Sequence, residues 1–221
     1  MRIYLATVAA TEIRWATAAG LIDGIVATPS ILAEELPHAD PREVLAELAE
    51  RTVLPIFASV PSIDATEIAR QGKTLSRITE HMIVAVPFVE DALPAMRRLS
   101  NDGVRIAATL VHSVAQGLLA AKAGASHVVV PVDALEAVGD AADAVIRGLR
   151  DVLDRAAHEC DVVAAGAPSA ARFAALAAAG ADAAVVTPSA LRSFLQHPLT
   201  DRGLDRFLGD ISRRAKPRRA K

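Results

Sequence analysis

An α/β fold, a single (β/α)8 TIM barrel with an extra C-terminal helix, is what this 221-residue sequence predicts. Three observations carry that expectation. Short runs rich in Val, Ile and Ala alternate with longer helical patterns, and eight such βα units in succession close into a barrel. Several of the runs are apolar throughout, as parallel strands are when both faces are covered. Two segments also repeat one unit: AAKAGASHVVVP (Ala120–Pro131) and ALAAAGADAAVVTP (Ala175–Pro188) each read as helix, glycine, polar step, strand, proline. Gly124 and Gly180 suit the left-handed residue that ends a helix.

In chain order, strands are expected near Arg2–Ala6, Gly24–Thr28, Leu54–Val60, Met82–Val86, Arg105–Leu110, His127–Val132, Asp161–Ala165 and Ala183–Thr187. Helical patterns fall at Thr11–Ala19, Pro41–Arg51, Asp64–Leu75, Glu90–Ser100, Ser113–Ala123, Ala134–His158 and Ser169–Ala179. Pro29, Pro61, Pro87, Pro131 and Pro188 follow strands, where a residue without an N–H stops the ladder. Residues 1–196 form the barrel in this reading, 197–214 a C-terminal helix, and 215–221 a basic tail. Leu204, Phe207, Leu208 and Ile211 recur at helical spacing and give the last helix one apolar face. The tail reads as solvated charge.

Composition narrows the function. Hydrophobic residues make up 52% of the chain and aromatics only 3%, so the core is built from small and branched aliphatic side chains. A net charge of −2 gives no expectation of a nucleic-acid or acidic-membrane partner. Cys160 is the sole cysteine, which excludes an intrachain disulfide and reads as an inert thiol near the core. The chain opens on a strand, MRIYLAT, with no leader pattern and no run long enough to span a bilayer. A cytoplasmic protein is the expectation.

Longer motifs carry a resemblance. MRIYLAT, DGIVATPSIL (Asp23–Leu32), IVAVPF (Ile83–Phe88), RIAATLVHS followed by GLLAAKAGA, and HPLTDRGLDRFLGD (His197–Asp210) together resemble the small transaldolase and fructose-6-phosphate aldolase family over essentially the whole chain. The resemblance implies class I aldolase chemistry, in which a fourth-strand lysine forms a Schiff base with a sugar carbonyl. Here that position is Ala85. Other working positions implied by the family fall on Ala6 (a proton-transfer aspartate), Thr28 (an asparagine), Ser59 (a glutamate that positions water) and Ala107 (an asparagine). A phosphate-binding arginine falls on Ala134, and a serine with its following arginine on Gly166 and Pro168. Thr109, Ser113 and Gln116 match the family. The resemblance further implies a ring-like homo-oligomer, pentamer or decamer, in which the C-terminal segment reaches a neighbouring subunit.

The missing lysine does not rest on that alignment alone. Schiff-base formation needs an amine that is partly neutral, in a desolvated pocket at the C-terminal mouth. The chain has four lysines, Lys73, Lys122, Lys216 and Lys221. The first two fall late in helical patterns and the others in the tail. Loss of lysine together with its acidic partners avoids stranding a buried charge, which costs about 3–5 kcal/mol.

What remains near the strand ends is polar but mostly neutral: Thr28, Ser30, Ser59, Ser62, Thr109, His112, Ser113, Asp133, Thr187 and Ser189. His112 with Asp133, and His38 nearby, are the candidates for a base and its orienter or for metal ligands. No His-x-His or His-x-x-x-His spacing supports a metal. Ser113 reads as a helix N-cap, while His81, His127 and His158 precede strands and fall on the stability face. The expected function is a catalytically inactive transaldolase-like protein, an oligomeric scaffold or regulatory pseudoenzyme of carbohydrate metabolism related to pentose-phosphate aldolases. It carries no catalytic residue, no cofactor and no metal, and a protein partner is a further expectation. The alternative is a divergent lyase or isomerase, or a small-molecule sensor, built on the pocket candidates Thr28, Ser59, Thr109, His112, Ser113 and Asp133.

Overall fold

The computed structural model describes residues 1–214. Eight parallel strands close into a barrel in sequence order: β1 (Arg2–Ala6), β2 (Gly24–Ala27), β3 (Ile56–Ser59), β4 (Met82–Pro87), β5 (Arg105–Thr109), β6 (His127–Pro131), β7 (Asp161–Ala165) and β8 (Ala183–Val186). β8 pairs back onto β1 with Arg2 opposite Ala183, which leaves no open edge. All eight expected strands are present, most of them shorter by a residue or two at their ends.

Helices cover the outside: α1 (Ala10–Ala18), α2 (Pro29–Glu35), α3 (Pro41–Arg51), α4 (Ala65–Ser76), α5 (Leu93–Asn101), α6 (Val114–Lys122), α7 (Val132–Ala137), α8 (Ala142–Arg155), α9 (Ala170–Ala178), α10 (Pro188–Phe194) and α11 (Pro198–Arg214). The pattern expected as one helix over Ala134–His158 is two, α7 and α8. Gly139 adopts φ 85° between them, a left-handed conformation that no helix continues through. Two prolines read as ladder stops also start helices. Thr28 and Thr187 accept the N–H of Ile31 and Ala190, each at 3.2 Å, and Pro29 and Pro188 occupy the first helical turn. A proline there forfeits no bond, since that N–H has no intrahelical partner. Pro87 and Pro131 instead close β4 and β6 as their last residues.

The core has two parts. A large cluster lies between the strands and the helices, and a smaller one fills the barrel interior with Tyr4, Val26, Phe57, Ile83, Ala85, Ala107, Val163 and Ala183. Gly24 admits the Tyr4 ring, because a Cβ there would lie 2.7 Å from Tyr4 Cδ1. Tyr4, Phe57 and His127 then stack across the floor, with ring centroids 4.7 and 5.2 Å apart. The floor is thus plugged by large rings, while small residues follow toward the strand C-termini.

At the opposite, N-terminal end the charges are concentrated. Arg2 pairs with Asp161 at 2.7 Å, His127 lies 3.3 Å from the same carboxylate, and Asp182 takes Arg150 at 2.8 Å and the Val162 N–H at 2.7 Å. Burial drives the His127 pKa down to about 4, against a smaller opposing pull from Asp161. Cys160 is buried beside this network, and burial pushes its thiol up to about 12, so it stays protonated and unreactive. His127 and Cys160 therefore belong to the structural end of the barrel.

Candidate functional site at the barrel mouth

Functional groups of a βα barrel gather where the strands end and their loops begin. At that end the interior opens into a cavity of about 150 Å³ lined by Ala6, Val26, Thr28, Ile31, Phe57, Ser59, Ala85, Thr109, Val129, Val163, Ala165 and Val185. Strand register explains the grouping. Ser59 sits opposite Ala85 on the neighbouring strand, Pro87 opposite Thr109, and Ala165 opposite Val185. Residues two apart on one strand share a face, so Ala6, Ser59, Ala85 and Thr109 rise from the same inward side as the floor residues.

Among the described residues no ionisable side chain lines this cavity, and its only polar side chains are the hydroxyls of Thr28, Ser59 and Thr109. Thr28 spends one lone pair capping α2. Ser59 and Thr109 flank the Ala85 strand, one on each side, and their side-chain hydroxyls make no hydrogen bond among the described residues.

The structure gathers only some of the positions singled out in the sequence. Ala6, Thr28, Ser59 and Ala85 meet in the cavity. Ala107 pairs with Ala85 across the ladder and is fully buried in the interior cluster. Ala134 is exposed on α7, and Gly166 and Pro168 lie in the loop after β7. Gly166 adopts φ 104°, and the Asp133 carboxylate lies where its Cβ would be, with Oδ2 2.7 Å from that point.

The other candidates stand around the rim and not in the cavity. Ser113 caps α6 by accepting the Gln116 N–H at 3.2 Å, and the Gln116 side chain in turn accepts the His112 backbone N–H at 2.8 Å. The two form a self-contained cap that orders the loop after β5. Asp133 is exposed, and His38 is exposed between α2 and α3. Ser30 is exposed, Ser62 accepts the Asp64 N–H, and Thr187 bonds Ser189 at 3.0 Å. No trio of His, Cys, Asp or Glu is arranged to hold a metal ion among the described residues.

The amines are elsewhere. Lys73, on α4, pairs with Asp102 at 2.8 Å on the outer surface. Lys122 is the last residue of α6 and exposed, where its charge complements the helix end. Lys216 and Lys221 lie outside the described residues, as does the basic tail 215–221.

Sequence reasoning did not identify the apolar wall, Ile31, Val129, Val163, Ala165 and Val185. Strands apolar on both faces hide which residues point inward. Once His127 is placed on the floor, and its neighbour Asp161 beside it, counting by two gives Val129, Val163 and Ala165. Also unforeseen is Glu35 at the end of α2, which accepts from Thr7 Oγ1 and from the Val8 N–H at 2.8 Å and fastens the loop after β1.

A wider, more open apolar groove of about 420 Å³ lies outside the barrel, among α2, α3 and α4, with Leu32, Leu36, Leu45 and Leu75 in its walls. Asp40, Arg42, Gln71 and Thr74 also line it, and it shares Ser59 with the cavity at the mouth. Among the described residues α11 has no extensive packing against another element, and it leaves Leu199, Leu204, Phe207, Leu208 and Ile211 exposed, Phe207 at 60%. No helix of the described residues is long and apolar enough to cross a membrane.

Comparison with known proteins agrees with the fold and extends it to a family. A designed cube-shaped, highly porous protein cage made by fusing symmetric oligomeric domains superposes with a TM-score of 0.64. It covers 97% of this chain and 78% of its own at 14% identity, a likeness of fold alone. A protein of Streptococcus agalactiae described as "Probable transaldolase" is 32% identical over 210 residues, 95% of this chain and 97% of its own. Counterparts of the same description from Hyphomonas neptunium and Desulfotalea psychrophila are each 34% identical, covering 96% and 97% of this chain and 98% and 99% of theirs. The family model described as Transaldolase/Fructose-6-phosphate aldolase matches residues 3–217. The chain belongs to the transaldolase/fructose-6-phosphate aldolase family.

Proposed function

We propose that this protein is a catalytically silent member of its family, an oligomeric scaffold or regulatory subunit and not an aldolase. One observation carries the reading: among the described residues the cavity at the mouth is lined by aliphatic, phenylalanine and hydroxyl side chains, with no amine and no carboxylate. A class I aldolase must hold a neutral amine against the substrate carbonyl and move protons at the same carbon. Ala85 stands where the resemblance puts the lysine, and Ala6 and Ser59 stand where it puts acids. Lys73 is held by Asp102 on the outer surface and Lys122 is exposed at the end of α6, so neither lies at the mouth.

Assembly is the retained property in this reading. The apolar face of α11 is exposed among the described residues, and a second copy of the chain is the partner that the resemblance implies. A contiguous apolar surface of this kind is costly to leave in water. The cytoplasm is the proposed compartment, from the lone reduced cysteine.

A coupled retro-aldol assay on fructose 6-phosphate tests the reading. No turnover above the no-enzyme rate is expected. Turnover that survives repurification and disappears in a Lys73→Met or Lys122→Met variant would overturn it.

A further inference from the structure

We infer that the barrel mouth binds a small uncharged molecule, largely apolar and of about six heavy atoms, bearing one hydrogen-bonding group such as an alcohol or a ketone. The inference rests on the reading of the mouth as neutral and goes beyond it by naming what the mouth takes in. Three features define the ligand.

Size comes first. The cavity of about 150 Å³ has the volume at which an apolar engineered cavity accepts benzene. Longer molecules would have to protrude between the loops. Second, the wall is apolar on every side, with Val26, Ile31, Phe57, Val129, Val163 and Val185 around it. A ring or branched carbon skeleton regains there the contacts that an empty pocket lacks. Third, the hydroxyls of Ser59 and Thr109 stand on the two strands beside β4 and make no bond within the described protein. Ser59 stands opposite Ala85 and Thr109 opposite Pro87, two residues further toward the mouth, so a ligand oxygen in the cavity has two groups nearby that can each donate or accept. An anion finds no cation in the lining, and the carboxylate of Asp133 lies near the rim by Gly166. A phosphate or carboxylate would lose hydration without compensation.

The site is also prepared. Thr28 caps α2, and the Ser113–Gln116–His112 chain fixes the loop after β5, so little has to be ordered on binding. Leu110, at the end of β5, is held at φ 61°, a conformation costly for a branched side chain, and is 53% exposed at the same end of the barrel.

Methyl-labelled full-length protein, titrated with cyclopentanol, benzene and dihydroxyacetone phosphate, tests the assignment. Cyclopentanol should move the Val129, Val163 and Val185 methyl resonances saturably, with a millimolar or tighter Kd. Dihydroxyacetone phosphate should bind at least tenfold more weakly. Ala165→Leu should abolish the shifts by filling the cavity. The double variant Ser59→Ala/Thr109→Val should weaken cyclopentanol at least fivefold while leaving benzene within twofold, which keeps the test decisive if Ala165→Leu fails to fold. Absence of saturable shifts with both neutral probes, or equal binding of the phosphate, overturns the inference. Aldolase turnover in the unmodified protein would sink the proposed function and leave these titrations to be judged on their own.

Discussion

Ala85 is 5% exposed and faces the cavity between Ser59 and Ala107 on adjoining strands. Ala85→Lys would place an ammonium in a lining that offers no carboxylate, so burial would drive its pKa down and the side chain would be largely neutral. A neutral amine alone does not make an aldolase. Positions 6, 28 and 59 hold Ala, Thr and Ser and supply no proton-transfer acid or base at neutral pH. The single variant is expected to lose on the order of 2–4 kcal/mol of stability by chemical denaturation and to show no retro-aldol turnover. Measurable turnover would contradict the account of the mouth. At the other end of the barrel, His127 makes stability depend on pH. Its folded pKa is depressed to about 4, below the ordinary 6.5. As pH falls from about 6.5 the unfolded chain takes up a proton that the folded chain refuses, so stability is full above that range and declines toward pH 4. Up to roughly 3 kcal/mol is at stake. Denaturation midpoints at pH 7 and 4.5 should separate for the native protein and converge in His127→Gln; equal separation in both would refute the assignment.

Among the elements, the helix layer depends on close approaches made by glycine. Gly117 of α6 faces Leu149 of α8, which occupies the space a Cβ would need, and Gly148 of α8 faces Val114 Cγ2 at 2.7 Å from its own virtual Cβ. The pair is reciprocal, so neither helix can retreat without opening the other contact. Gly117→Ala is expected to cost roughly 1–3 kcal/mol through overpacking, despite the better helix propensity of alanine. A variant as stable as the native chain would show that Leu149 has a second rotamer available. These contacts explain what the sequence did and did not disclose at this scale. Eight strands were legible because each is a short aliphatic run bounded by glycine, proline or charge. The division at Gly139 was not, since the apolar spacing continues from Leu135 to Ile146 with only a glycine against it. α2 was hidden for the opposite reason: PSILAEE is one short turn-rich stretch, and its start signal, Thr28-Pro29-Ser30, also reads as the end of a strand.

For the whole molecule, the barrel and the family were legible in long motifs, and of the positions singled out in the sequence Ala6, Thr28, Ser59, Ala85 and Thr109 line the cavity. The apolar wall was not legible, because it emerges only when strand register fixes which residues turn inward. α11 is the other surface that the single chain leaves unfinished. Phe207→Asp with Leu208→Asp, in the full chain, is expected to reduce the particle to a smaller species by light scattering while leaving the circular dichroism of the barrel unchanged; an unaltered mass would show that assembly uses another face. Among the described residues no amine reaches the barrel mouth. Borohydride reduction in the presence of dihydroxyacetone, followed by intact-mass measurement and peptide mapping, addresses it directly. The protein mass is expected to be unchanged from that of the untreated chain. A stable adduct mapping to Lys73 or Lys122 would contradict it.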